Sequence, residues 1–201
     1  LIRRKKYEKS IFIISGEVNG GKSTLVSSII ITLKSEGYSI GGLLSEAVYS
    51  GEKKSGYDIL DISSGIKKPF LRSLEGLGIG DNDISHLRVG KFTVIEEGLE
   101  FGKRVLSSNT LLENDIIIID EIGHMELRGL IWSDCLSNLL LSKHKTVVLV
   151  IREKLLENVL AKFKIIPKNI FYPDDDADKI VKELMKDCRI NFNSEKNYGN
   201  N

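Results

Sequence analysis

The sequence predicts an α/β fold built on a mostly parallel β-sheet with helices on both faces. Apolar runs of strand length alternate with longer amphipathic stretches of helical periodicity along the 201 residues. The run Asp-Ile-Ile-Ile-Ile-Asp at residues 115–120 shows no polar alternation, which is typical of a strand buried on both faces. We expect a single domain over residues 1–190 and a flexible tail at residues 191–201.

The individual elements follow from the same patterns, taken in chain order. Strands are predicted at residues 11–15, 39–45, 91–95, 115–120, 146–151 and 170–172. Helices are predicted at residues 22–36, 96–108, 130–141, 154–162 and 177–186. Short polar–apolar alternation around Gly51 and Gly56 predicts an antiparallel hairpin insert at about residues 47–62. The stretch 63–88 is rich in Gly, Ser and Asp and predicts a loop with little regular structure.

Composition excludes several classes of protein. Hydrophobic residues make up 41% and charged residues 28%, which is ordinary for a globular protein. The formal net charge of +1 gives no electrostatic case for a nucleic-acid or membrane partner. No apolar run is long enough to span a bilayer. The two distant cysteines, Cys135 and Cys188, favour a reducing compartment. We therefore expect a cytoplasmic protein, and we expect it to be a monomer.

A glycine-rich loop lies between the first predicted strand and the first predicted helix. Its sequence has the form Gly, four residues, Gly-Lys-Ser, which is the Walker A pattern. Glycines allow a tight turn whose backbone N–H groups face phosphate oxygens, and the helix that follows presents its positive end. The predicted nucleotide-binding residues are Gly16, Glu17, Val18, Asn19, Gly20, Gly21, Lys22, Ser23 and Thr24. We expect Lys22 to reach the terminal phosphates, Ser23 to bind Mg²⁺ and Glu17 to point outward.

A second acidic motif ends the all-apolar strand. Asp120 would lie at the carboxyl edge of the sheet, where ligands bind in such folds, and would hold Mg²⁺. Glu121 follows directly, and a carboxylate there can orient an attacking water and accept its proton. The pair predicts a Mg²⁺-dependent site in which Glu121 and Lys22 are catalytic and in which Ser23 and Asp120 hold the metal.

The string from Asp120 to Leu127, Asp-Glu-Ile-Gly-His-Met-Glu-Leu, resembles the second motif of the small P-loop nucleoside-triphosphatases. This family includes the human cancer-related nucleoside triphosphatase and thermophile proteins. The similarity runs from about residue 11 to residue 152 and takes in residues 45–47, 56–59 and 88–92. It implies a three-layer, RecA-like P-loop fold. It also implies slow, Mg²⁺-dependent hydrolysis of ATP, GTP and other nucleoside triphosphates with low base selectivity.

This chain departs from the family pattern at three places. His124 stands where the family motif has Lys, Lys53 and Lys54 stand near the position of a hairpin Arg, and residues 173–176 lack a late Asn-Arg signature. The departures leave the positive charge at the site unassigned. His124 and Arg128 are candidate charge stabilisers, and Arg88 and Arg152 are further candidates for an arginine finger.

Two other functions fit the same motifs. A small-molecule or nucleotide kinase would use the same phosphate loop, with an acceptor pocket formed by the hairpin and residues 63–88. A non-enzymatic nucleotide switch would bind the triphosphate and a macromolecular partner. Hydrolysis is the main hypothesis because Lys22, Asp120 and Glu121 occur together.

Overall fold

The computed structural model describes residues 9–73, 87–142 and 146–196, with side chains up to residue 188. Nine strands in this part of the chain form one sheet in the order β5-β6-β4-β3-β2-β7-β8-β1-β9. The strands are β1 (Ser10–Gly16), β2 (Ile40–Ser50), β3 (Lys53–Asp61), β4 (Lys67–Ser73), β5 (Arg88–Val89), β6 (Phe92–Val94), β7 (Ile116–Ile122), β8 (Thr146–Arg152) and β9 (Asn169–Phe171).

Helices cover both faces of the sheet. They are α1 (Lys22–Ser35), α2 (Glu96–Leu106), α3 (His124–Leu127), α4 (Ser133–Leu141), α5 (Leu156–Phe163) and α6 (Ala177–Lys196), with 3-10 turns at Asn109–Glu113 and Glu153–Leu155. Apolar side chains of α1 and α6 pack on one face of the sheet. Those of α2, α4 and α5 pack on the other face. The predicted three-layer α/β arrangement is confirmed.

The parallel half of the sheet contains the strands that the sequence marks as apolar. Strands β2, β7, β8, β1 and β9 pair in parallel in that order. The four consecutive isoleucines of β7 are all fully buried. Alternate members of this run belong to the apolar clusters on opposite faces. A strand that contacts helices on both sides has no face left for polar residues, which explains the absence of alternation.

The antiparallel half extends from β2, which continues past its parallel pairing with β7 into a hairpin with β3. The predicted loop at residues 63–88 is wrong at residues 67–73, which form β4, and at Arg88, where β5 begins. Strand β4 pairs with β3 on one side and with β6 on the other. Its Phe70 and Leu71 are buried. The pairing of β4 with β6 is non-local, so the local richness in Gly and Ser does not reveal it. Residues 74–86 lie outside the described part.

Several predicted boundaries also shift. Helix α4 begins at Ser133 rather than at residue 130, because Gly129 and Ile131 have positive φ angles of 79° and 53°. The tail predicted to be flexible from residue 191 remains helical to Lys196 as part of α6. A helix already formed extends at little cost, since each further residue adds a hydrogen bond. Residues 197–201 lie outside the described part. No described helix is long and apolar enough to cross a bilayer.

Candidate functional site

The two sequence motifs meet at the carboxyl ends of three neighbouring parallel strands. Strand β8 lies between β1 and β7. Gly16 ends β1 and is paired in register with Arg152, which ends β8. Asp120 and Glu121 lie near the end of β7, across β8 from the glycine loop. The crossovers of the sheet thus bring together residues that are about one hundred positions apart in the chain.

The glycine loop connects β1 directly to α1. Gly21 precedes the helix with a φ angle of 89°, a conformation that glycine adopts without steric cost. The backbone N–H of Gly20 donates to the Glu17 carbonyl at 3.1 Å, which closes the turn. The first N–H groups of α1 have no helical acceptor, so they form a site for anions. A Cβ at Gly16 would lie 2.9 Å from Cγ of Pro173, so only glycine fits there.

Lys22 is held within the loop that it follows. Its side chain is 5% exposed, and its Nζ donates to the carbonyls of Gly16 at 3.1 Å and Glu17 at 2.7 Å. The same Nζ lies 3.7 Å from Oε2 of Glu121. The side chain of Glu17 is exposed, in line with the outward orientation expected for it. The ammonium group is therefore placed at the centre of the anion site, where phosphate oxygens can replace carbonyls as its acceptors.

Asp120 is a buried carboxylate with little compensation for its charge. Its side chain is 3% exposed and accepts a hydrogen bond from Ser23 Oγ at 3.4 Å, a long contact. Burial raises the pKa of Asp120 to about 7, and the neighbouring charge of Glu121 adds to this rise. Lys22, the Ser23 hydroxyl and the Ser45 backbone oppose the rise only in part. A cation beside Asp120 would stabilise its ionised form.

The oxygen ligands offered by Ser23 and Asp120 suit Mg²⁺. The Ser23 hydroxyl and the Asp120 carboxylate are hard oxygen ligands, and the two groups are already adjacent. Magnesium usually takes one or two protein oxygens and completes its shell with substrate phosphates and water. In residues 9–73, 87–142 and 146–188, no group of three or more His, Cys, Asp or Glu side chains could hold a metal by itself. The residues present therefore fit a metal that is shared with a phosphate ligand.

Glu121 occupies an irregularity in β7 that directs it into the cleft. Asp120 pairs with Val150 and Ile122 pairs with Ile151, so Glu121 has no register partner in β8. A bulge of this kind reorients a side chain at a strand end. Its carboxylate is 22% exposed, and Oε1 accepts a hydrogen bond from Nε of Arg152. With Lys22 near Oε2, two cations flank the two oxygens of one carboxylate.

A single cleft of about 880 Å³ joins these groups to the rest of the predicted site. His124 and Arg128, the two candidate charge stabilisers, are exposed residues on its wall at the beginning and end of α3. Gly16 and Glu17 contribute their carbonyls to Lys22 beneath this surface. The other predicted loop residues line the cleft, namely Val18, Asn19, Gly20, Gly21, Lys22, Ser23 and Thr24.

Several contacts at the site were not foreseen from the sequence. Lys54 of the hairpin donates to Oδ1 of Asn19 at 3.0 Å and to the Tyr57 hydroxyl at 3.2 Å, so it ties the hairpin to the phosphate loop. Glu126, which is 3% exposed, accepts a hydrogen bond from the Gly123 backbone N–H at 2.8 Å and caps α3. Burial raises its pKa. A Glu three residues after the N-cap residue, here Gly123, is a recognisable capping signal.

The fold and the site define a P-loop nucleotide-binding protein of the α/β class. Comparison with known proteins identifies the family. The model of a family described as NTPase matches residues 11–184. The chain belongs to this family.

Individual relatives agree with this assignment. The chain is 27% identical over 189 residues to nucleoside-triphosphatase THEP1 of Pyrococcus abyssi, a match that covers 94% of this chain and 98% of the relative. Two solved structures share the fold at 23% identity each. The solution structure of a human cancer-related nucleoside triphosphatase has a TM-score of 0.64 and matches over 89% of this chain and 96% of its own. The crystal structure of THEP1 from the hyperthermophile Aquifex aeolicus has a TM-score of 0.63 and matches over 88% of this chain and 97% of its own.

Proposed function

We propose that this protein is a Mg²⁺-dependent nucleoside-triphosphatase, which converts a nucleoside triphosphate and water into a nucleoside diphosphate and phosphate. The observation that carries the proposal is the convergence of Lys22, Asp120 and Glu121 on one cleft. The glycine loop alone accounts for phosphate binding. A carboxylate for the metal and a second carboxylate for water are what hydrolysis adds.

The residues divide the work by their chemistry. The loop N–H groups and Lys22 bind the phosphates of the substrate, and Lys22 exchanges its loop carbonyls for phosphate oxygens when it does so. Ser23 and Asp120 hold Mg²⁺, which neutralises charge on the β- and γ-phosphates when it is bound. Glu121 orients a water molecule at the γ-phosphate and accepts one of its protons.

The reaction step balances within this set of groups. The water oxygen forms a bond to the γ-phosphorus as the bond from that phosphorus to the bridging oxygen breaks. The electron pair of the broken bond remains on the leaving diphosphate, and the water proton moves to Glu121. Lys22 lies where it can stabilise the negative charge that develops on the phosphate oxygens.

The test is a turnover panel on purified protein. ATP, GTP, CTP and UTP are each offered with Mg²⁺ or with EDTA, and released phosphate is measured. We expect Mg²⁺-dependent release that is lost in Lys22→Ala and falls by roughly 10²–10⁴-fold in Glu121→Gln, while Glu121→Gln still binds a fluorescent nucleotide analogue. Turnover of Glu121→Gln at the wild-type rate would disprove the role given to this carboxylate.

Low base selectivity, a monomeric state and a cytoplasmic location belong to the same proposal. The name of the Pyrococcus abyssi relative, nucleoside-triphosphatase, specifies no base, which supports the first. Cys135 and Cys188 are free thiols, which agrees with a reducing compartment. The nucleotide panel tests the first point, and light scattering of the purified protein tests the second.

A second candidate function is phosphoryl transfer to a small molecule or nucleotide. The cleft is also lined by the aromatic residues Phe70, Phe92 and Trp132 and by Arg88. This apolar lining with one cation favours an acceptor pocket. In the kinase case, phosphate release without an acceptor stays negligible and nucleotide consumption begins only when a hydroxyl acceptor is added. Full turnover in buffer alone would exclude it.

A further inference from the structure

Arg152 occupies the position in the sheet from which one side chain can reach both motifs. It is the last residue of β8, the strand that lies between β1 and β7. Its register partner in β1 is Gly16, where the phosphate loop begins. On its other side, the bulge at Glu121 brings the candidate general base toward it. The three paired strands therefore hold the backbone of Arg152 close to that of Glu121.

The two cations that flank Glu121 are bound in different ways. Arg152 donates a hydrogen bond from Nε directly to Oε1. Lys22 makes only a looser ion pair with Oε2, at 3.7 Å, and gives its hydrogen bonds to the loop carbonyls. Lys22 is also the group that the substrate phosphates recruit. When a triphosphate binds, Oε2 loses its cation, whereas Oε1 keeps the guanidinium.

We infer that Arg152 is the positioning residue for Glu121, which it holds by Oε1 so that Oε2 faces the attacking water. This inference rests on the proposed hydrolysis. A planar guanidinium suits the task because it stays charged and its Nε–H donates to Oε1 in a fixed geometry, which restrains the carboxylate. The structure thus favours Arg152 over Arg88 and Arg128, which line the same cleft as exposed residues.

The first experiment separates positioning from substrate binding. Arg152→Ala should lower kcat by about 10²-fold, because misplacing a catalytic group by about 1 Å costs that much, while KM changes by less than about threefold, the signature of an interaction used only in the transition state. Arg152→Lys keeps the charge without the fork and should recover part of the loss. Millimolar guanidinium ion should restore part of the turnover of Arg152→Ala. Arg104→Ala, which removes an exposed arginine from α2, is the matched control and should leave both constants unchanged.

The second experiment tests whether Arg152 acts through Glu121. In a double-mutant cycle, adding Arg152→Ala to Glu121→Gln should lower kcat by less than about threefold, because the partner that it positions is already impaired. A full further loss of about 10²-fold would show that Arg152 acts on the phosphates directly and would overturn the inference. A rise in KM with unchanged kcat in Arg152→Ala would also overturn it.

Failure of the inference can be told from failure of the proposed function. Absence of Mg²⁺-dependent phosphate release by the wild-type protein removes the proposed function, and the inference with it. Normal wild-type turnover together with unchanged kcat in Arg152→Ala removes the inference alone. Binding of a fluorescent nucleotide analogue by each variant shows that it is folded.

Discussion

One buried carboxylate lies at the amino ends of the neighbouring strands β1 and β8, and another lies at their carboxyl ends. The two carboxylates differ in their hydrogen-bond partners. At the amino ends, Asp187 of α6 accepts hydrogen bonds from Ser10 Oγ and Thr146 Oγ1 at 2.8 Å each and pairs with Lys168. At the carboxyl ends, Asp120 accepts a hydrogen bond from Ser23 at 3.4 Å. Both side chains are 3% exposed.

Equal burial therefore serves two purposes in one sheet. Asp187 links three elements, since Ser10 begins β1, Thr146 begins β8 and Lys168 precedes β9. A buried carboxylate with several donors stabilises the fold through those bonds. Asp120 keeps a raised pKa because its donors do not offset the cost of burial. A bound cation would relieve this cost, because its charge would stabilise the ionised carboxylate.

The largest expected effect is on folding at the amino-end cluster. Asp187→Ala should lower the free energy of unfolding by about 3 kcal/mol, because the buried hydroxyls of Ser10 and Thr146 lose their shared acceptor. Urea denaturation followed by circular dichroism measures this. Lys182→Ala, an exposed change on the same helix, is the control and should stay within about 0.5 kcal/mol. A loss below about 1 kcal/mol for Asp187→Ala would mean that the cluster does not hold α6 to the sheet.

The second effect is on turnover, where the change at Asp120 should matter more than the change at Asp187. Asp120→Asn should lower turnover at limiting Mg²⁺ by about 10–100-fold, with partial recovery as the Mg²⁺ concentration rises, because a carboxylate that holds the metal is lost. Asp187→Asn, which is the matched change at the other end, should leave the turnover of the folded enzyme within about threefold. Phosphate release against Mg²⁺ concentration checks both. Equal losses of turnover in the two variants would show that Asp120 has no special role in activity.

The third effect concerns pH and the stability of the metal-free protein. The pKa of Asp120 is raised in the folded state, so its contribution to stability is greatest below pH 4 and is lost as the pH rises toward about 7. Asp120→Asn removes this charge. In EDTA, it should therefore be more stable than wild type at pH 8, by at least about 1 kcal/mol, since a shift of a single pKa unit already corresponds to that much, and the gain should disappear toward pH 4. Thermal unfolding at several pH values measures the difference. A variant that is less stable than wild type at pH 8 would show that the Asp120 charge is well compensated.

The two motifs of the site can be predicted from the sequence because each depends on residue types within a short stretch of chain. The Gly-Lys-Ser loop and the Asp-Glu pair carry their spacing within a few residues, and apolar strands on either side place them at strand ends. Strand β4 was missed for the opposite reason. Its Phe70 and Leu71 are buried because the strand pairs with β3 and β6 and contacts the helix α2. The residues around Pro69 do not by themselves reveal these contacts.

The cation that contacts Glu121 is another feature that could not be predicted from the local sequence. The sequence offers Arg128, which lies close to the acidic motif in the chain, as a charge stabiliser and Arg88 and Arg152 only as further candidates. Proximity along the chain does not decide which side chain touches Glu121, because the order of strands does. Arg152 is thirty-one positions from Glu121 in sequence and is in direct hydrogen-bond contact with it.

The sequence by itself determined the phosphate loop, the buried parallel strands and the family, since each of these depends on residues that are neighbours or on a repeating period. The tertiary structure decided which cations face Glu121, which buried carboxylate is satisfied and which is not, and where the antiparallel strands pair. These features depend on contacts between elements far apart in the chain, and such contacts exist only after the sheet has set its strand order and register.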